Sequence, residues 1–499
     1  MPAVRLSERA VGRERVDAVA IAVFGAGGRL SAGAGVAECA RAFGVDLLGA
    51  AGRDPGFRGE VGDLAAVLSG SDRQPVLLAV GLGAPDAVDA DRLRLAAMAL
   101  ARAARGYRRL ATTLAQEGID RGRSVRAVVE GLLLGSYRYP RPGSVDARER
   151  APEAITLLLG REDKARSPML REGLRLGLAA GNASSWVREL VERPAAELTP
   201  AELAEEIRSR AAAHGASARV WSARTMTARG FGATLAVGAG SPNRPAVVEL
   251  VHRGAGGPPI ALAGKGITFD SGGINLKRDP AEIGWMKSDM AGAAAVAGAV
   301  CAAAALGGRR PVRAILPLAE NMPGTGAMRP GDVVRHPDGR TTEVVDTDSE
   351  GRLVLADAIA YLAAARPAAL IDVGTLTDGG GVGHLLWGAW TNAPDLLREL
   401  LDAGEVAGEP GWHLPLRPQY RTLLASPVAD LSNCARDVAD TGQMAATYLS
   451  TFADGVPWVH IDNGSTAYLD GDLAPWTRGA TGSPVRALLE LLLREAEPL

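Results

Sequence analysis

The stretch "PIALAGKGITFDSGG", Pro259 to Gly273, begins as an apolar run of strand length and ends in a glycine-rich turn. Bounded by proline and glycine, such a run reads as a buried strand. Two of its residues need a reason to be there. Lys265 lies between Gly264 and Gly266, and taking an ammonium out of water is expensive. Asp270 follows five residues later, among glycines that leave the turn open to close approach.

Outward from this stretch, strand-like and helical segments alternate to the C-terminus. "AVVELVHRG" (246–254), "VRAILPLAE" (312–320) and "AALIDVGTLT" (368–377) are strand candidates. "LTPAELAEEIRSRAAAHG" (198–215) reads as a helix capped by Thr199, with Pro200 in its first turn and Gly215 as its stop. The first part of the chain repeats the alternation. Strand-like "VDAVAIAVF" (16–24), "PVLLAVGLG" (75–83) and "AITLLLG" (154–160) accompany helix-like "DADRLRLAAMALARAARGYRR" (89–109) and "SVRAVVEGLLLGSYRY" (124–139). A polar-to-amphipathic run over 162–194 reads as a long helical connector. The expected fold is therefore α/β throughout. It has a smaller N-terminal α/β domain (1–165), a connecting helix (166–194) and a larger C-terminal domain (195–499) around a mixed sheet.

Composition narrows the functional classes. At 499 residues the chain is too long for one hydrophobic core. A net charge of −2 with no basic stripe argues against nucleic acid as a partner. The longest apolar stretches are alanine-rich and short of a membrane span, and the first residues lack a signal peptide's apolar core. Three scattered cysteines suit a reducing compartment, so the expected location is the cytoplasm. "FGAGGRL" (24–30) offers only part of a dinucleotide fingerprint, because Leu30 stands where the third glycine belongs, and it reads as a turn.

The candidate chemistry lies in the second half. Beyond Lys265 and Asp270 come Lys277, then Asp289 ahead of an alanine-rich run, then Asp348, Glu350 and Arg352 in "DTDSEGRLVLADA". Each has a plain alternative: an ion pair for Lys265 and Asp270, a helix cap for Asp289, a solvated acidic turn for Asp348 and Glu350. If 345–350 is extended, Asp348 and Glu350 point to the same side, where they repel unless a cation sits between them. Beside dications the pKa of Lys265 would fall, leaving a neutral amine competent to ligate. Taken together these oxygen-rich ligands could hold two metals. No H-E-x-x-H is present, and His252, His336 and His460 read as structural or surface residues.

At this point the residues resemble the leucyl (cytosol) aminopeptidases, two-metal exopeptidases. The match is carried by "GKGITFDSGG" with Lys277 seven residues past Asp270, by "MKSDM" (286–290), by "ENMPGTGAMRPGDVV" (320–334) and by "DTDSEGRLVLADA" (346–358). The resemblance implies that Lys265, Asp270, Asp289 and Glu350 hold one metal. Asp270, Asp348 and Glu350 hold the other, with Asp270 and Glu350 bridging. It implies Lys277 as the oxyanion-stabilising lysine and Arg352 as the holder of a bicarbonate that acts as general base. Lys277, Met286, Thr375 and Leu376 would meet the substrate, a peptide losing its N-terminal residue to a metal-bound hydroxide. Zinc or manganese is expected, with magnesium or cobalt also compatible. A macro-like N-terminal domain and a homo-hexamer are implied as well. The departures are a loop between Lys277 and Asp289 one residue longer than usual, Ala291 for a glycine, Asp346 for an asparagine, and Asp378 where a glycine usually follows "GTLT". An acid in the substrate pocket would shift preference toward basic residues or disfavour peptides by charge. The competing expectation is a catalytically degenerate homologue that serves as a binding or structural protein.

Overall fold

A computed structural model describes residues 1–68, 74–118, 120–140, 149–436, 438–439 and 441–494. The chain divides into two compact units, Met1–Ser185 with Asp472–Thr477, and Trp186–Gly471 with Arg478–Leu499. The connector expected over 166–194 is a helix, Pro168–Glu192, and the division falls within it. The short segment Asp472–Thr477 groups with the first unit, an excursion that no single cut along the chain expresses.

The first unit is built on a seven-stranded sheet. Its middle strand, Ala18–Ala26, is buried almost throughout and runs parallel to Val76–Gly81 on one side and Arg109–Thr112 on the other. Ala154–Leu158 and Ala3–Ser7 extend the parallel array, while Leu64–Val67 closes the far edge antiparallel. Continuous apolar strands of this kind are what a sheet covered on both faces needs. The "FGAGG" piece is the tip of a two-residue hairpin joining Ala18–Ala26 to Arg29–Ala32, with Gly27 and Gly28 at φ 56° and 76°. Both central residues of such a turn require positive φ. A strand-to-helix phosphate turn is therefore not formed there.

The second unit carries a nine-stranded mixed sheet. Four neighbouring strands, Trp458–Asp462, Ala369–Gly374, Ile260–Gly264 and Val312–Asn321, are parallel. Ala246–His252 and Ser217–Trp221 add antiparallel strands beyond Val312–Asn321, and Trp387–Thr391 adds one beyond Trp458–Asp462. Where the sequence suggested one strand over 259–269, two form, Ile260–Gly264 and Gly266–Asp270, interrupted at Lys265. The first pairs on both sides, whereas among the described residues the second pairs only with Val312–Asn321. The interruption leaves Lys265 where Ile260–Gly264, Ala369–Gly374 and Trp458–Asp462 come to an end, while Val312–Asn321 runs on beside Gly266–Asp270.

Helices Ala291–Ala305 and Glu350–Ala363 pack against these central strands. The alanine and glycine content of the former has a steric cause. A Cβ on Gly292 would lie 2.3 Å from the Val373 carbonyl oxygen, so the helix approaches the sheet too closely for a larger residue. Among the described residues one helical stretch, Pro280–Ala305, is long and apolar enough to cross a membrane, and 89% of its most apolar window is buried inside the protein. It is a core helix.

Candidate active site

The singled-out polar residues meet at the carboxyl ends of the parallel strands, the place where open α/β sheets bind ligands. Lys265 follows Ile260–Gly264, Asp270 ends Gly266–Asp270, and Thr375 follows Ala369–Gly374. Asp289 comes directly after a tight helical turn, Met286–Ser288, and Glu350 opens the helix Glu350–Ala363.

Two sequence-based expectations change here. Backbone 345–350 is not an extended strand: the strand ends at Glu343, a loop follows, and the helix starts at Glu350. Asp348 and Glu350 are brought together by a loop turning into a helix, and the acidic first turn also suits the helix dipole. Asp289 does not cap the alanine-rich helix, whose cap position is Met290 with no side-chain bond. Its side chain turns toward Lys265 instead.

Lys265 Nζ lies 2.8 Å from Asp289 Oδ1 and 2.9 Å from Glu350 Oε1, and donates to the Thr375 carbonyl at 2.8 Å. Lys277 Nζ lies 3.0 Å from Asp270 Oδ2 and 2.6 Å from Asp348 Oδ1. Neither lysine pairs as an isolated Lys265–Asp270 couple would. Carboxylate oxygens of Asp270, Asp289 and Glu350 all come within 4.8 Å of one another, and all three residues are buried. Asp289 Oδ2 is buried with no hydrogen-bond partner. Asp348 Oδ1 and Glu350 Oε1 have the Lys277 and Lys265 ammoniums as their ion-pair partners.

Such crowding shifts Asp289, Asp348, Glu350 and both lysines. Burial, reinforced by Asp270 and Glu350, pushes the Asp348 carboxyl up to about 7 against the pull of Lys277. Burial likewise raises Glu350 and Asp289, with Asp270 adding to both and Lys265 opposing. For Lys265 and Lys277 burial works downward, but the surrounding carboxylates outweigh it and hold both ammoniums above the ordinary lysine range. The lowering expected of Lys265 is thus not a property of the protein groups alone. A cluster of buried carboxylates that raise one another, one oxygen without a donor, fits divalent cations with oxygen ligands.

Neighbours set these side chains, and of them the sequence marked only Thr375. Asn321 Nδ2 donates to Asp270 Oδ1 at 2.8 Å and to the Thr347 carbonyl at 3.0 Å. Asn433 staples the acidic loop, accepting from the Val345 amide at 2.7 Å and donating to the Asp346 carbonyl at 2.7 Å. The Asn433 carbonyl in turn accepts from Arg352 Nη1 at 2.8 Å. Thr375 Oγ1 donates to Asp289 Oδ1 at 2.6 Å. Gly351 must lack a side chain, since a Cβ there would fall 2.4 Å from Lys265 Cε.

These groups open into a cavity of about 560 Å³. Lys265, Asp270, Lys277, Asp289 and Asp348 line it, together with Met286, Thr375 and Leu376. Its remaining wall includes Trp285, Tyr468, His384, Glu282, Asp378 and Asp470. Trp285 and Tyr468 stack with ring centroids 6.1 Å apart. Of this outer wall only Asp378 stood out in the sequence. The expected structural histidines behave as such: His336 bonds Asp357 and Thr342, and His460 bonds Asp372.

Residues 185–489 match the model of the cytosol aminopeptidase family, catalytic domain, and residues 20–142 match that family's N-terminal domain. The chain belongs to the cytosol aminopeptidase family. A "Probable cytosol aminopeptidase" of Syntrophotalea carbinolica is 40% identical over 431 residues, spanning 84% of this chain and 86% of its own. Another from Streptomyces coelicolor is 37% identical over 522 residues, covering 98% of both chains. Among solved structures, the bottromycin maturation enzyme BotP in complex with Mn is 38% identical, with a TM-score of 0.82 over 95% of this chain and 98% of its own. Within a cytosol aminopeptidase, Asp378 stands out as an exposed acid on the cavity wall. Its Oδ1 accepts from the Gly380 amide at 3.1 Å.

Proposed function

We propose that this chain is a two-metal aminopeptidase that releases single residues from the N-termini of peptides. The observation that carries the proposal is the convergence of Asp270, Asp289 and Glu350 within 4.8 Å, flanked by Lys265 and Lys277, at the head of a substrate-sized cavity. Lys265, Asp270, Asp289 and Glu350 would hold one ion, and Asp270, Asp348 and Glu350 the other. When bound, two divalent ions supply Lewis-acid polarisation of the scissile carbonyl and activation of water.

The chain's own residues have separable tasks. Lys277 stays a cation because Asp270, Glu350 and Asp348 hold its proton, so it is a ready electrostatic partner for a developing oxyanion. Lys265 can ligate only after giving up a proton that Asp289, Glu350 and Asp270 now favour, which couples metal loading to proton release. Arg352, buried beside Asn433, would hold a bicarbonate as general base. Thr375 and Leu376, with Met286, would receive the N-terminal residue. Zinc or manganese is the proposed metal, the cytoplasm the proposed location and a hexamer the proposed assembly, which light scattering would test.

Metal content measured alongside hydrolysis of aminoacyl amides tests the function directly. A protein that binds no metal, or binds zinc and manganese without hydrolysis, would be the degenerate homologue instead. The finer leucyl class depends on the wall residue Asp378. We expect a wild-type preference for arginyl and lysyl over leucyl amides that weakens in Asp378→Asn by about fivefold, the scale of an exposed ion pair. Equal ratios of kcat/KM in the two proteins would remove Asp378 from the specificity.

A further inference from the structure

We infer that Asp462 is a positioning residue that clamps the Thr375–Thr377 segment in its substrate-receiving conformation. This inference rests on the aminopeptidase proposal for what the segment receives, but the clamp itself is read from geometry. Asp462 ends the strand Trp458–Asp462, which pairs in parallel with Ala369–Gly374 so that Asp462 lies opposite Gly374. The two strands finish side by side, and the segment leaving Gly374 passes over Asp462.

All the protons directed at this carboxylate come from that segment and its own turn. Oδ2 accepts from the Thr377 amide at 3.0 Å and from Thr377 Oγ1 at 2.5 Å. Oδ1 accepts from the Leu376 amide at 3.4 Å and from the Gly464 amide at 3.0 Å. The residue is fully buried, and among the described residues no cation pairs with it. A buried carboxylate needs donors to satisfy its oxygens, and losing them is costly. Steric contact reinforces the fit: a Cβ on Gly464 would lie 1.8 Å from the Thr377 carbonyl oxygen, and one on Gly379 would lie 2.4 Å from Ser465 Oγ. The turn after Asp462 is thus moulded to the underside of the segment.

The upper side of the same segment faces the reaction. Thr375 accepts from Lys265 through its carbonyl and donates to Asp289 through its hydroxyl, while Thr375, Leu376, Thr377 and Asp378 line the cavity. Asp462 touches none of the proposed metal ligands. Its influence should therefore appear in substrate capture more than in the chemical step.

The test is Asp462→Asn, which replaces one acceptor oxygen by an amide that cannot receive the Thr377 protons. Steady-state kinetics on an aminoacyl amide should show KM raised about tenfold, with kcat within about threefold of wild type. Metal stoichiometry should be unchanged. Thr377→Val, which removes only the hydroxyl bond and serves if Asp462→Asn folds poorly, should raise KM about threefold. Asp372→Asn, a buried carboxylate two residues back on the neighbouring strand, is bonded to Trp458 and His460 rather than to the segment. It should lower the melting temperature without moving KM. An unchanged KM in both Asp462→Asn and Thr377→Val, or a loss confined to kcat together with lost metal, overturns the clamp. Amide hydrogen exchange separates the two proposals. Leu376 and Thr377 should exchange faster in Asp462→Asn whether or not the protein hydrolyses peptides, whereas an inactive wild type would count against the aminopeptidase proposal alone.

Discussion

Asp270→Ala is expected to remove metal from both positions and to cut turnover by about three orders of magnitude or more. Asp270 is the carboxylate common to the two proposed ligand sets, and both its oxygens are already aimed. Oδ1 is fixed by the Gly272 amide and Asn321 Nδ2, which leaves Oδ2 toward Lys277 and the centre of the cluster. Metal analysis after reconstitution should find neither ion retained, and added manganese should raise the melting temperature of the wild type but not of the variant. The chelated variant should be no less stable than the chelated wild type, because Asp270 adds to the repulsion that raises Asp289, Asp348 and Glu350. Metal affinity of the wild type carries a matching pH dependence. Carboxyls with raised pKa hold protons at low pH and must lose them to ligate, so affinity should climb as pH rises through about 7, the value at Asp348. A variant that keeps either ion at full occupancy would contradict the bridging role.

How much of this could be read from residues alone depends on whether the signal was local. Lys265 announced itself because an ammonium between two glycines in an apolar strand has no inexpensive explanation. The strands around it were legible for the same reason, as short apolar runs punctuated by glycine and proline. Asp348 and Glu350 were paired on their two-residue spacing, which suggested a strand where the chain turns into a helix. A motif constrains which side chains meet and leaves open the backbone that brings them together. Asn321, Asn433 and Asp462 were not legible in this way. Each is an ordinary polar residue whose partners lie far off in the chain: 51 residues from Asn321 to Asp270, 88 from Asn433 to Val345, 85 from Asp462 to Thr377. Their roles exist only once strand order places those segments together. The outer cavity wall was invisible for a related reason, because Trp285, His384 and Tyr468 come from three separate segments with no shared spacing.

Lys277→Ala should leave both metals bound and still lower kcat by about two to three orders of magnitude, the usual loss for removing an oxyanion-stabilising group. The structure makes this a demanding prediction, because Lys277 contacts two of the proposed ligands, Asp270 and Asp348. If its main task were to neutralise those carboxylates, its removal would weaken metal binding first, and activity would return on adding excess metal. If its task lies in the transition state, metal stoichiometry stays at wild-type level and excess metal restores nothing. Its position favours the second outcome. Both lysines line the cavity, but Lys277 is about 10% exposed at its side chain, whereas Lys265 is more deeply buried and meets the Thr375 carbonyl and two carboxylates at once. The same reasoning separates the two lysines experimentally. Lys265→Ala should lose metal and activity together, while Lys277→Ala should lose activity with metal in place and with KM little changed. A Lys277→Ala protein with wild-type turnover would remove the lysine from the reaction, and one rescued by metal would reassign it to holding the ligands in place.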